Sequence, residues 1–560
     1  MSSALRLGAV PASGTKQGRK RLAQALPSDR AAAHLRRWRV TLRTRAGIEA
    51  GHPNCRTPPG AGKPEARLAH ARGPALRTPC PVGTERPRTP GSEPVPRHFR
   101  SGRRLPRTLL AVAPRSLLPA AVTSGVRAPQ PQPRPWGPLM DQETRALAER
   151  HFRGLGGVPG GSGAPGRVAF IQAPSAFSYA DFFRGFLLPN LPCVFSSAFT
   201  AAWGSRRRWV TAAGKPDFDY LLRKYGDVVV PVANCGVREY NANPKEHMPL
   251  RDYISYWRDY IQGGYSSPRG CLYLKDWHLC RDSSAEDVFT LPVYFSSDWL
   301  NEFWDALDVD DYRFVYAGPT GTWSPFHADI FRSFSWSVNI CGRKKWLLFP
   351  PGQEEALRDC HGGLPYDVTS PTLQDANLHP RHQCCSPPLE IIQEAGEMVF
   401  IPSGWHHQVH NLDDTISINH NWVNGCNLAT MWHFLQQELH AVQQEISEWR
   451  DSMPDWHHHC QVIMRSCSGI NFEEFYHFLK VIAERRLLIL GKGAEGTAEC
   501  GPGTGLGLQH AVFDIGRLAE VLASVIAHPD FQRVDTGAFS PQPEELLRRL
   551  EEAIAAAADL

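Results

Sequence analysis

Two stretches, Ser324-Pro-Phe-His-Ala-Asp329 and Pro402-Ser-Gly-Trp-His-His-Gln-Val-His410, decide the reading of this chain. Both lie in a region of short apolar runs cut by Gly and Pro. These runs are Gly270-Cys-Leu-Tyr-Leu, Tyr312-Arg-Phe-Val-Tyr, Ser335 to Ile340, Lys345-Trp-Leu-Leu-Phe, Glu397-Met-Val-Phe-Ile and Thr415 to Trp422. Many short strands with tight turns predict a mainly β core, a small barrel or jelly roll. In an extended strand, residues i and i+2 share a face, so His327 and Asp329 point the same way. A neutral imidazole and a carboxylate on one face supply two ligands for a divalent metal, and a histidine from a neighbouring strand supplies a third. Two histidines and one carboxylate leave coordination positions open, which suits non-haem Fe(II) oxygen chemistry. A structural zinc site would fill all four positions with protein. Period two sorts the second stretch into His407 with Val409 on one face, and His406, Gln408 and His410 on the other. It does not choose between them. A lone His-x-Asp is common by chance, so the reading rests on what surrounds it.

Outward from this centre the chain divides sharply. Of its 560 residues, 1–139 hold 26 Lys/Arg against five acids, a net of +21, with 21 of the 47 prolines. The rest carries 35 basic and 51 acidic side chains, a net of −16. Residues 1–139 read as a disordered basic Pro/Arg-rich extension, because so few apolar residues do not offset chain entropy. An organelle-targeting role for it competes with an upstream extension that has little part in the folded body, and Met140 marks an internal start. The acidic body argues against a nucleic-acid binder. No run approaches the ~18–20 apolar residues of a membrane span. Fourteen scattered cysteines without Cys-x-x-Cys fit a reducing compartment.

Along the body, 140–166 is a Gly-rich lead-in, 167–309 an α/β part, 310–425 the β core, and 426–560 a helical region with a Gly-rich linker at 491–507. Ser178 caps a short helix carrying Phe182, Phe183 and Phe186. Helices are expected at Phe218 to Tyr225 and Leu250 to Tyr260, and strands at Cys193-Val-Phe and Asp227 to Ala233. Asn471 and Glu474 make a capping box. Asp455-Trp-His-His-His459 reads as a solvated helix edge, since consecutive histidines diverge.

Ser324 to Asp329, Gly342-Arg-Lys-Lys-Trp-Leu-Leu-Phe-Pro-Pro351 and Gly396-Glu-Met-Val-Phe-Ile-Pro-Ser-Gly-Trp-His-His407 together resemble the JmjC family of Fe(II)- and 2-oxoglutarate-dependent oxygenases. Phe186-Leu-Leu-Pro-Asn-Leu-Pro-Cys-Val-Phe matches the family's entry segment. The resemblance spans roughly Arg167 to Trp422 and implies a double-stranded β-helix of the cupin or jelly-roll kind with helical additions. The family's third ligand falls five residues after the motif proline, which selects His407 to join His327 and Asp329; Trp405-His406-His407 departs from the common Trp-Trp-His.

The family also places a lysine two residues after the turn glycine, here Lys344, as the cation for the distal carboxylate of 2-oxoglutarate. Period two agrees that Lys344 faces differently from Arg343 and Lys345, which read as a solvated edge. Ser324 matches a family hydroxyl donor, and Tyr273 and Asn421 match further pocket positions. Many relatives carry Asn at Ser337. The implied reaction couples decarboxylation of 2-oxoglutarate to succinate and CO2 with O2-dependent hydroxylation of a protein. It needs no protein nucleophile, so no catalytic residue is assigned beyond the metal centre.

Asp329, where histone demethylases commonly have Glu, and the lack of a Cys/His zinc reader favour a hydroxylase over a lysine demethylase. A non-catalytic cupin-like binding module would often lose a ligand or the lysine. The match from Met140 to the C-terminus is to one branch of the family and implies a cytoplasmic lysyl hydroxylase of the eukaryotic translation termination release factor. The C-terminal helices are expected to support a homodimer.

Overall fold

The computed structural model describes residues 139–154, 167–239, 242–282, 288–308, 310–494 and 506–557. The basic extension, apart from Leu139, and most of the Gly-rich linker fall outside them. Thirteen strands are present among the described residues: β1 Ala169–Ile171, β2 Cys193–Phe195, β3 Val229–Asn234, β4 Lys245–Pro249, β5 Leu272–Trp277, β6 Arg313–Gly318, β7 Trp323–His327, β8 Phe334–Cys341, β9 Lys344–Phe349, β10 Leu389–Gln393, β11 Met398–Ile401, β12 His406–Asn411 and β13 Thr415–Trp422. They form a nine-stranded sheet in the order β1-β2-β11-β8-β13-β6-β5-β3-β4 and a four-stranded sheet in the order β10-β9-β12-β7. Only β1 and β2 pair in parallel. Strands β8 and β13 are buried along their whole length, as central strands covered on both faces must be.

The strand-rich runs of the sequence all appear as strands. The expectation of a mainly β protein is corrected, however, because among the described residues helix outweighs strand by about 46% to 20%. The reason is strand length: the strands span three to eight residues, whereas the C-terminal helices reach 23. We label α1 Leu250–Gln262, α2 Trp299–Leu307, α3 Leu428–Glu445, α4 Trp456–Ser468, α5 Phe472–Ala494, α6 Leu508–Ala527 and α7 Pro543–Ala556. Helix α5 continues through Gly491, so the linker starts later than composition predicts.

The lead-in is corrected too: Gln142–Gly154 is helical. Its first turn is closed by the Asp141 side chain, which accepts from the Thr144 amide at 2.7 Å. Its apolar face is narrow, but Ala148 and Phe152 are buried, with Phe152 against Phe513 of α6. The caps behave as their residues predict. Ser178 and Asp181 form a reciprocal capping box, and Asn471 and Glu474 form another at α5.

Four hydrophobic clusters form among the described residues, two of them large. One lies on the large sheet and gathers Phe182, Phe195, Phe295, Trp336, Phe400 and Trp422. The other joins α2 to the C-terminal helices through Phe303, Leu435, Phe475, Phe478 and Leu522, and it includes Phe331 from the loop after β7. A buried charge network ties this second core together. Arg486 of α5, fully inaccessible, donates from Nε to Asp514 Oδ2 at 2.7 Å and from its two terminal nitrogens to Glu302 of α2 at 2.9 and 3.0 Å. Removing one partner of a buried pair strands the other without solvent. Arg486→Met is therefore expected to lower stability by about 3–5 kcal/mol, read as a shift of the urea midpoint at unchanged slope.

Candidate functional site

Strand β7 ends at His327, and Asp329 follows in extended backbone (φ −62°, ψ 154°) as the first residue of a short turn. Asp329 thus lies just past the strand in which it was expected, and its extended conformation keeps the two-residue alternation. His407 on β12 pairs directly opposite His327, and the two imidazole centroids are 4.5 Å apart. One ligand atom from each of His327, Asp329 and His407 falls within 4.8 Å of the others.

Hydrogen bonds prepare all three side chains. His327 Nδ1 donates to the Pro325 carbonyl at 2.7 Å and His407 Nδ1 to the Trp405 carbonyl at 3.0 Å. Each Nε2 is thereby left with its lone pair. Asp329 Oδ2 accepts from Ser335 Oγ at 2.6 Å, which fixes the carboxylate and leaves Oδ1 for a cation. Burial, then the His407 ring, push the His327 pKa down to about 3, against the pull of Asp329. His327 is neutral at physiological pH, the form in which imidazole ligates a metal.

The choice that periodicity leaves open is resolved by placement. His406 points away from the cluster, against the Phe326 ring, where its Nε2 meets Arg332 at 3.2 Å and its Nδ1 faces Glu354 at 3.7 Å. His410 stacks on Trp323 and meets Gln408 Nε2 at 2.9 Å. The histidines of α4 are spent elsewhere: His457 faces Asp530 and His459 its own helix.

Asp329 is carried by an unusual loop. Phe331 and Arg332 both adopt left-handed backbone, each with φ 55°, a conformation that costs a non-glycine residue about 1–2 kcal/mol. The surroundings hold it in place. Phe331 is fully buried in the second core, the Arg332 guanidinium lies 5.3 Å from the Phe434 ring of α3, and Ser403 Oγ donates to the Arg332 carbonyl.

Beside these three side chains opens a pocket. Lys344, Ser324, Tyr273 and Asn421 all line it, as does Ser337. Lys344 is buried, and its Nζ donates to Ser417 Oγ at 2.7 Å; among the described residues no carboxylate pairs with it. Its neighbours keep the solvated role expected of them, Arg343 pairing with Asp413 and Lys345 with Glu390. Gly342, at φ +76°, makes the turn before Lys344 where a Cβ would overlap the Asp414 carbonyl. Gly318 gives the Tyr273 ring room that any side chain would take.

Sequence reasoning missed Lys275, Tyr316, Asn419 and Ser335, which share the pocket. Lys275 was within reach: it stands two residues after Tyr273 on β5, on the same face.

A cupin-like domain family matches residues 179–427. The human 2-oxoglutarate and iron-dependent oxygenase JMJD4 is 81% identical over 420 residues, 75% of this chain and 100% of the relative. The chain belongs to the JMJD4 family of 2-oxoglutarate and iron-dependent oxygenases. The mouse JMJD4 oxygenase is 77% identical over 424 residues, 75% of this chain and 99% of the relative. An Arabidopsis thaliana protein named arginine-specific demethylase JMJ20 is 35% identical over 333 residues, 56% of this chain and 70% of the relative.

As a JMJD4-family oxygenase the protein uses iron and 2-oxoglutarate, and the donor set fits both. Two imidazole rings and one carboxylate converge on one point, and the buried Lys344, with no carboxylate partner among the described residues, suits a dicarboxylate. Burial, then Lys275, push the Lys344 pKa down to about 7. A carboxylate arriving beside Lys344 would raise that value, so binding takes up a proton above pH 7 and none well below it. Co-substrate affinity is therefore expected to fall up to ~10-fold per pH unit above about 7 and to level off below about 6. Calorimetry across pH checks this, and Lys344→Arg should flatten the profile because the guanidinium stays charged.

Proposed function

We propose that the protein is a lysyl hydroxylase of the eukaryotic translation termination release factor, with His327, Asp329 and His407 holding the iron of a double-stranded β-helix. The convergence of these three prepared side chains beside the unpaired Lys344 carries the catalytic half of this reading. The substrate half is supported by the JmjC resemblance of the motifs, and by Asp329 standing where demethylases of the family commonly have Glu.

Bound iron with 2-oxoglutarate supplies the oxidative chemistry, releasing succinate and CO2 as a hydroxyl is transferred. The chain's own contribution is positional. Lys344 neutralises the distal carboxylate, and Tyr273, Ser324 and Asn421 shape the polar wall around it. Ser335 orients Asp329, and Trp346 and Val409 add apolar surface to the pocket wall.

The test incubates the full chain with Fe(II), 2-oxoglutarate, ascorbate and recombinant release factor, followed by peptide mass mapping. The expected product is a lysine carrying one extra oxygen, formed with equal succinate. An unmodified release factor under conditions where 2-oxoglutarate turns over would overturn the substrate. Demethylation is the second reading, of a methylated lysine or, following the name of the Arabidopsis relative, a methylated arginine. Its signature is loss of a methylene from a methylated peptide.

A further inference from the structure

Cys271 stands immediately before β5 and Cys235 immediately after β3, and the register of these strands sets them opposite each other. Asn234 pairs with Leu272, and the Cys235 amide then donates to the Cys271 carbonyl at 2.8 Å. Residues directly opposed in an antiparallel pair have Cα atoms about 4.5–5.5 Å apart, inside the ~4.4–6.8 Å that a disulfide spans. Both are free thiols, and their sulfurs are within hydrogen-bonding reach of each other.

The two are chemically unequal. Cys271 is partly exposed, and hydrogen bonds from the Cys235 thiol and, after the cost of burial, the Tyr260 hydroxyl bring its pKa down to about 7. Cys235 is buried, with its thiol pushed well above the usual range by the hydrogen bond with Cys271 and by burial. An accessible thiolate beside a shielded partner thiol is the arrangement of a peroxide-reactive pair.

Both cysteines are joined to the pocket. Cys271 is two residues from Tyr273 and four from Lys275 along β5. Cys235 Sγ lies 3.4 Å from the Trp323 carbonyl oxygen, and Trp323 precedes Ser324 on β7.

We propose that Cys271 and Cys235 form a peroxide-oxidisable dithiol whose closure to a disulfide weakens co-substrate binding in the adjoining pocket. The Cys271 thiolate attacks hydrogen peroxide; the O–O bond breaks, hydroxide leaves, and Cys271 becomes a sulfenic acid. The Cys235 sulfur then attacks Cys271, the S–S bond forms as the S–O bond breaks, and the departing hydroxide takes up the Cys235 proton as water. Two thiols are oxidised by two electrons, and one peroxide is reduced to two waters. Closure draws the Cys235 sulfur from the Trp323 carbonyl and pulls on the strand bearing Tyr273.

The effect on binding rests on this pocket being the 2-oxoglutarate site; the linkage itself is read by mass and does not. Full-length protein is treated with a small excess of peroxide, quenched with catalase, alkylated and digested. A linked Cys235–Cys271 peptide, short of two hydrogens, is expected at doses that leave the exposed Cys360 alkylatable. In Cys235→Ala, Cys271 should instead stop with one or two added oxygens. Anaerobic calorimetry with Fe(II) and 2-oxoglutarate should show a several-fold rise in Kd after oxidation, reversed by dithiothreitol and absent in Cys235→Ala. Absence of the linked peptide overturns the proposal. So does a disulfide that leaves Kd unchanged in protein whose reduced form binds 2-oxoglutarate. If the reduced protein binds none, the pocket assignment fails instead.

Discussion

Asp329→Ala and His407→Ala are each expected to abolish turnover and to weaken Fe(II) binding by more than ~100-fold, whereas His406→Ala keeps iron affinity within a few-fold of the parent. The contrast between neighbours is the informative part. His407 Nε2 faces His327 and Asp329, while His406 is held on the opposite side of β12 by Arg332 and Glu354. Ser335→Ala should fall between these extremes, with a ~10–100-fold loss of metal affinity, because it frees the Asp329 carboxylate without removing it. Anaerobic metal titration under a competing chelator separates the three classes without relying on activity. Equal losses in His406→Ala and His407→Ala would show that the ligand set is wrong.

Lys344→Ala should raise the Kd for 2-oxoglutarate by at least ~100-fold while leaving metal affinity nearly intact. Removing the cation leaves a buried carboxylate unpaired, a penalty of about 3–5 kcal/mol. Lys275 offers partial compensation: its ammonium lies 5.7 Å from the Tyr316 ring that Lys344 approaches at 5.8 Å from its own side. If Lys344→Ala binds as tightly as the parent, Lys275 is the residue that meets the carboxylate, and the double variant then shows the loss.

What the sequence made legible was whatever depends on short-range spacing. His327 and Asp329 stand two residues apart, so strand geometry alone points them together, whereas Lys344 came from the family resemblance. His407 against His406 was not decidable that way, since either face of β12 obeys the same period; the family resemblance selected His407, and the register sets it opposite His327 on β7. Lys275 went unread because a lysine beside an aspartate, Asp276, looks like a solvated pair. In the fold Asp276 is taken up by Lys245 and the Tyr316 hydroxyl instead. The helix at Gln142–Gly154 was lost in a polar, Gly-rich context, its one large apolar anchor, Phe152, packing on a partner some 360 residues later on α6. The helical character of 426–560 was legible, although α3 buries Leu428, Met431, Trp432, Phe434, Leu435, Leu439 and Val442, and a side so broadly apolar blurs the 3.6-residue signal that would set its bounds.

The left-handed pair Phe331–Arg332 gives the C-terminal helices a part in the chemistry that no ligand list would assign them. Asp329 is joined to a turn that free chain would abandon, and the turn is kept by Phe434 and the second core. The unit that shapes this site therefore does not stop at the strands bearing His327 and His407. A fragment trimmed at Trp422 would contain all three donors and both strands that bear the histidines. It would still let the carboxylate swing out of register, and a minimal enzyme cut from this protein has to carry α3 and the core behind it.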